Sequence, residues 1–240
     1  MVNYTLTPLG DHAIVIELGN EITLATHNLV QSVVAFLDQH PFDWVTEYIP
    51  AFTTVTIFYN PLLVLPKTNQ TTSASPYEHA VNQLKPYLDN LEENYSEVGR
   101  TVEIPVCYGG ELGPDLPYVA DYHNLSEEQI VDLHSKGNYL VYMIGFAPGF
   151  PYIGGMLEAL ATPRKDNPRL KIPSGSVGIA GNQTGVYPIE TPGGWQLIGR
   201  TPLPLFKPES ESPTLLKTGD VIRFKPITKQ EFDSYKEDEA

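Results

Sequence analysis

The stretch IPSGSVGIAGNQTGVYPIETPGGWQLIGRTPL (172–203) decides the fold of the C-terminal half. It has no helical spacing. Its apolar residues fall in short runs, Val177 to Ala180, Val186 to Ile189 and Trp195 to Ile198, parted by Gly/Pro turns. Working outward, Tyr139 to Phe146, Leu203 to Phe206 and Val221 to Lys225 repeat the pattern, and proline is concentrated after residue 147. Many short strands joined by tight turns predict a β-barrel or sandwich. The last ten residues, Glu231 to Ala240, read as a frayed charged tail. Cutting the chain after Gln230 should then change stability by less than about 0.5 kcal/mol.

The N-terminal half alternates between two periods. Val2 to Thr7 alternates in period two, Gly10-Asp11 turns the chain, and Ala13 to Leu18 forms a second apolar run. From Ile22 the apolar residues recur at three and four, which predicts a helix to about Gln39, stopped by Pro41. Trp44 to Ile49 and Thr53 to Tyr59 read as strands, and Asn60 to Pro76 as a loop. Ala80, Val81, Leu84, Leu88 and Leu91 mark one face of a second helix, and residues 100–108 another strand. After the opening strand the order is β-α-β-β-α-β, which predicts a ferredoxin-like α+β domain.

The expected division is a ferredoxin-like domain at 1–98, a β-barrel domain at 99–230 that includes a helical bridge at 115–137, and the tail at 231–240. In the bridge, Asp115 reads as the cap of a short helix to Tyr122. Ser126 with Gln129 has the spacing of a capping box, and Gly137 closes the second helix. Two short helices in a row resemble a helix-turn-helix, but Glu127, Glu128 and Asp132 would repel a phosphate backbone.

Charge narrows the function. The formal net charge of −14 disfavours nucleic acid and anionic lipid as partners. The N-terminus lacks a signal-peptide pattern, and no apolar run is long enough to span a bilayer. Cys107 is the single cysteine, so no intramolecular disulfide exists, and a cytoplasmic location is expected.

Common catalytic signatures are missing. The sequence has neither GxxxxGKS/T nor GxGxxG at a strand-to-helix turn. PSGSVG places Ser174 where a nucleophile elbow needs its first glycine. The six histidines are scattered without metal-ligand spacing, so no metal site is expected, and His134 reads as a cation compensating a helix C-terminus. Cys107 reads as a buried, inert thiol. Glu111 and Asp115 are of the right type for a general acid/base pair, although such residues more often cap turns and helices.

One region stands out. Residues 137–207 carry Arg164, Lys165, Arg169, Lys171, Arg200 and Lys207 against Glu158, Asp166 and Glu190, a net +3 inside a chain of −14. A positive island among Gly-rich loops suits capture of a small anion, because arginine offers a planar fork and glycine lets backbone N–H groups approach. Phe146, Phe150, Tyr152 and Trp195 would supply apolar walls. The competing reading pairs these cations with nearby carboxylates as structural bridges.

EIPVCYGGELGPDL (103–116), YMIGFAPGFPYIGG (142–155), the stretch 172–203 and TGDVIRF (218–224) together resemble the family of 5-oxoprolinase B subunits, also called allophanate hydrolase subunit 1. PLGDHAIVIELG (8–19) matches its opening more loosely. The resemblance implies a cyclophilin-like β-barrel after a small α+β domain. It also implies work with partner subunits C and A to open 5-oxoproline to L-glutamate, with ATP as co-substrate. A lactam is an unactivated amide, and phosphorylation of its carbonyl oxygen makes it a good electrophile. The family includes a sporulation kinase inhibitor of the KipI type, so a histidine kinase is the alternative partner. Peptidyl-prolyl isomerisation rests on fold analogy alone. Two departures are Lys171, where arginine is common, and Asn182, where a small residue is common. On this reading the catalytic candidates are Arg169, Arg200 and Glu111. The substrate-binding candidates are Phe146, Pro148, Gly149, Phe150, Tyr152, Arg164, Gly181, Gln183, Thr184, Gly194 and Trp195.

Overall fold

The computed structural model describes residues 3–65, 74–91 and 99–237. Part of the loop expected at 60–76, and the residues that lead up to the division expected after residue 98, lie outside the described residues. The chain divides into two compact units, Met1–Glu97 and Val98–Ala240.

The first unit runs β1 (Thr5–Leu9), β2 (Ala13–Glu17), α1 (Leu24–Gln39), β3 (Val45–Pro50), β4 (Thr54–Tyr59), the short α2 (Pro61–Val64) and α3 (Pro76–Leu88). Its four strands form an antiparallel sheet in the order β1-β2-β4-β3. Period-two alternation puts Ile14, Ile16, Val55 and Ile57 on the face that meets Val30, Val33 and Leu37 of α1 and Ala80, Leu84 and Leu88 of α3. Helix α1 begins at Leu24, two residues after its first apolar position, because the Thr23 hydroxyl accepts the Thr26 N–H and caps it. Ser75 and Glu78 build a capping box on α3, with Pro76 at its first turn.

The expected strand order needs one correction. Residues 101–108 do not complete this sheet; β1 holds the edge beside β2 instead. Four successive residues, Ile104 to Cys107, are buried, and a strand buried on both faces belongs in the middle of a sheet. That strand is central in the second unit.

The second unit comprises β5 (Thr101–Tyr108), α4 (Leu116–His123), α5 (Glu127–Ser135), β6 (Tyr139–Ile144), β7 (Pro151–Gly154) and a 3-10 turn at Glu158–Leu160. It continues with β8 (Arg169–Ile172), β9 (Ser176–Ala180), β10 (Gln183–Val186), β11 (Thr191–Gly193), β12 (Gln196–Arg200), β13 (Val221–Pro226) and α6 (Lys229–Glu237). Seven strands make one sheet in the order β10-β9-β12-β5-β13-β6-β7, and its two edge strands, β10 and β7, come into contact. The sheet is therefore barrel-like and nearly closed, which removes most of its free edge. Its core is Ile104, Val106, Val141, Val177, Ile179, Ile198, Ile222 and Phe224, with Leu116, Val119 and Ile130 from α4 and α5. The fold class is α+β.

Details differ from the expectations. The run Val186 to Ile189 is only the end of β10, and 203–206 is no strand, joined to Thr214 through a single bridge at Phe206. Strands β7, β8 and β11 are three or four residues long, too short to show a period. The tail is the largest difference. Residues 229–237 form α6, capped by Thr228 and Glu231, and Phe232 is 1% exposed. Helix α6 packs on β5. Truncation after Gln230 is therefore expected to cost about 1.5–3 kcal/mol, the value of one fully buried phenylalanine, rather than almost nothing. Urea unfolding of the truncated chain checks this, and an unchanged midpoint would show that α6 contributes no stability.

Candidate functional site

Beside the barrel lies a cavity of about 310 Å³. Its walls are aromatic because β7 carries Tyr152 and the residues next to the strands supply the other rings: Phe150 just before β7, Tyr187 just after β10 and Trp195 just before β12. Phe150, Tyr187 and Trp195 meet edge to face with centroids 6.0 to 6.2 Å apart, and Tyr152 lies 5.3 Å from Phe150. Gly185 makes room for this cluster, since a Cβ there would stand 3.0 Å from the Trp195 indole. Phe146 covers the rim, 73% exposed and 5.6 Å from Phe150, with its backbone at φ +69°. Few bulky residues adopt that conformation.

The segment 162–169 passes the cavity and is tied down along its length. Thr162 and Gly181 exchange backbone hydrogen bonds of 3.0 and 2.7 Å, the Gln196 side-chain amide donates to Pro163 O at 2.9 Å, and Lys165 N donates to Gly194 O at 2.7 Å. Its cations meet the Asp115 carboxylate. Lys165 Nζ is 3.0 Å and Arg169 Nη2 2.8 Å from Oδ1, while the Leu197 N–H donates to Oδ2 at 2.7 Å. Burial alone would raise the pKa of Asp115, which is 5% exposed, but the hydrogen bonds from Arg169, Leu197 and Lys165 outweigh it and hold the carboxyl below its ordinary range. Asp115 stands at the N-terminus of α4 without capping it through its side chain. The capping role expected of it gives way to a bridge between segments 50 residues or more apart in sequence.

These pairings sort the positive island. Lys165 and Arg169 are spent on Asp115, and Lys171 faces Glu190 at 3.1 Å on the surface. Arg200 Nε donates to Ser174 O at 2.7 Å, and burial lowers the guanidinium's pKa without discharging it. Arg164 differs. Among the described residues it has no hydrogen-bond or ion-pair partner, and it lines the cavity.

Of the sequence candidates, the cavity gathers Phe146, Phe150, Tyr152, Arg164, Gln183, Gly194 and Trp195. Pro148 and Gly149 sit in the turn that carries Phe146, and Gly181 anchors the 162–169 segment. Arg169 and Arg200 do not line it, although Arg169 Nη1 reaches Trp195 O at 3.5 Å. Glu111 is exposed in the turn after β5 and is not part of the wall. Thr184 points into the barrel, where it accepts from His134 Nε2 at 2.8 Å and donates to Gly178 O at 3.1 Å. His134 itself is fully buried, and burial drives its pKa down to about 3, so it is neutral and compensates no helix dipole. Burial likewise pushes the Cys107 thiol up. Tyr187, Pro192 and Gly193 also line the cavity, and nothing in the sequence pattern singled them out.

The family described as "Carboxyltransferase domain, subdomain C and D" matches residues 4–216. The chain is 49% identical to the 5-oxoprolinase B subunit of Bacillus subtilis over 237 residues, covering 99% of this chain and 98% of that one. The chain belongs to the family of 5-oxoprolinase B subunits. The 5-oxoprolinase B subunit of Escherichia coli O157:H7 is 44% identical over 219 residues, 91% of this chain and 94% of its own length. Among solved structures, TTHA0988 superposes with a TM-score of 0.74 at 33% identity, over 90% of this chain. This chain spans only 40% of that longer one. No described helix of this family member is long and apolar enough to cross a membrane.

Proposed function

We propose that this chain is the B subunit of an ATP-dependent 5-oxoprolinase, working with subunits C and A to convert 5-oxoproline to L-glutamate, and that its aromatic cavity receives the lactam. The observation that carries the reading is Arg164, at the edge of a small aromatic chamber and without a partner among the described residues. A cyclic carboxylate needs both halves of such a site. The guanidinium fork takes the carboxylate, and edge-to-face rings take the apolar ring. Holding the lactam there would fix the carbonyl for attack and exclude bulk water. ATP is the co-substrate of the complex. This sequence has no phosphate-cradling motif, which fits a nucleotide site on a partner subunit.

The test is Arg164→Ala in the co-expressed complex, assayed by 5-oxoproline-dependent ATP hydrolysis. Loss of one charged hydrogen-bonded contact should lower kcat/KM roughly 10- to 100-fold. The melting temperature should stay put, because Arg164 has no intramolecular partner among the described residues to lose. Arg164→Lys should recover part of the loss, since the charge stays and the fork goes. Normal kinetics in a fully assembled Arg164→Ala complex would sink the assignment.

A further inference from the structure

The cavity holds a second polar group that no charge count reveals. Tyr187 is 3% exposed and lines the chamber together with Arg164 and Gly193. Its ring is fixed on both sides, edge to face with Phe150 and Trp195 at 6.0 Å. Among the described residues its O–H proton goes to no acceptor. The ring is buried but the hydroxyl opens onto the cavity, so its donor is available to whatever the cavity holds. Gly193 explains why the hydroxyl is accessible: a Cβ there would stand 2.6 Å from Tyr187 Oη. Any side chain at 193 would displace the phenol. The glycine thus keeps open the space beside the hydroxyl.

We infer that the Tyr187 hydroxyl is the second recognition donor of this site, giving its proton to a carboxylate oxygen of the cyclic substrate whose other oxygen faces Arg164. The inference rests on the cavity being the lactam site. It fits the chemistry in two ways. A carboxylate has acceptor positions for both a guanidinium and a phenol, and hydrogen bonds to it are among the stronger ones. The phenol also stays protonated, since burial pushes Tyr187 up to about 12 against the smaller downward pull of Arg164, the Trp195 N–H and Arg169. It is a donor across the physiological range. Arg164 supplies the attraction to charge, and Tyr187 with Gly193 sets the orientation. The pair therefore selects small ring carboxylates over neutral lactams.

The test compares Tyr187→Phe, Gly193→Ala and Arg164→Ala. Binding of 5-oxoproline to the full chain, alone and with its partner subunits, is followed by saturation-transfer NMR, and turnover is measured on the assembled complex. Tyr187→Phe should weaken binding and raise KM about 10-fold or more with kcat within about twofold, the mark of a contact made equally in ground and transition states. Gly193→Ala should do the same by pushing the hydroxyl aside. A packing role would instead lower kcat and the melting temperature together and leave KM unchanged. That pattern, or unaltered binding in Tyr187→Phe, overturns the inference. Arg164→Ala separates the two layers. If it weakens binding and Tyr187→Phe does not, only the Tyr187 assignment fails. If neither variant changes binding, or the wild type binds no 5-oxoproline, the site reading itself fails.

Discussion

Replacing Asp115 with alanine is expected to cost about 3 kcal/mol of stability. The carboxylate is nearly enclosed and accepts from two cations and one backbone N–H. Removing one member of a buried charge pair typically costs about 3–5 kcal/mol, because the remaining charges are left without compensation. Here the cations are partly accessible, with side-chain exposures of 26% for Arg169 and 31% for Lys165. Water can take over part of their solvation, which places the cost at the low end. The Leu197 N–H is buried and has no such recourse. Arg169→Ala should cost less than Asp115→Ala, since Lys165 and the Leu197 N–H still satisfy the carboxylate. The contrast with Arg164 is the informative part. Arg169 variants should lose stability and Arg164 variants turnover, although the two residues are only five apart in sequence. Urea unfolding midpoints of the three variants measure it. An Asp115→Ala chain that unfolds at the wild-type midpoint would mean that the bridge contributes nothing.

The division between these arginines shows where a sequence stops being legible. The cluster was visible as charge, and the aromatic walls as composition. Which cation stays free was not, because Asp115 lies 54 residues from Arg169 and reads locally as a helix cap. Tyr187 and Gly193 left no signal either, since an idle hydroxyl and a missing Cβ acquire meaning only from neighbours across the fold. Local chemistry was legible. The Ser126–Gln129 box and the strand expected at 53–59 appear where the sequence puts them. The stretch 100–108 reads as a strand, and the division after residue 98 puts it with the barrel while the β-α-β-β-α-β order puts it in the first sheet; burial on both faces decides for the barrel. Phe232 was hidden by the charges around it, and helix α6 needed only that one apolar anchor.

Acid sensitivity should trace to His134. The imidazole is fully buried, stacked on Phe224 with centroids 4.6 Å apart, and both nitrogens are engaged. Thr184 gives its proton to Gly178 O, so its oxygen accepts from His134 Nε2–H, and Nδ1 is left to accept from the Tyr108 hydroxyl at 2.8 Å. The groups that face the ring are Tyr108, Tyr139, Thr184 and Phe224, none of them charged at neutral pH. Protonation would put a proton on Nδ1 against the Tyr108 hydroxyl, with no anion to offset the charge. The folded pKa accordingly falls to about 3 from an ordinary value of 6.5. The unfolded chain then binds the proton first as pH drops. Stability from this group is complete above about pH 6.5 and is lost as pH falls toward 3, at about 1.4 kcal/mol per unit. Between pH 6.5 and 5 the loss should approach about 2 kcal/mol, before most carboxylates titrate. His27 is also held low by burial and adds to the slope, so the decisive quantity is a difference between variants. His134→Gln keeps a polar side chain and cannot titrate. It should be less stable at pH 7 yet flatter with pH, so that the gap to wild type narrows by about 2 kcal/mol at pH 5. Parallel pH profiles for the two chains would show that His134 is not the acid-sensitive group of the barrel.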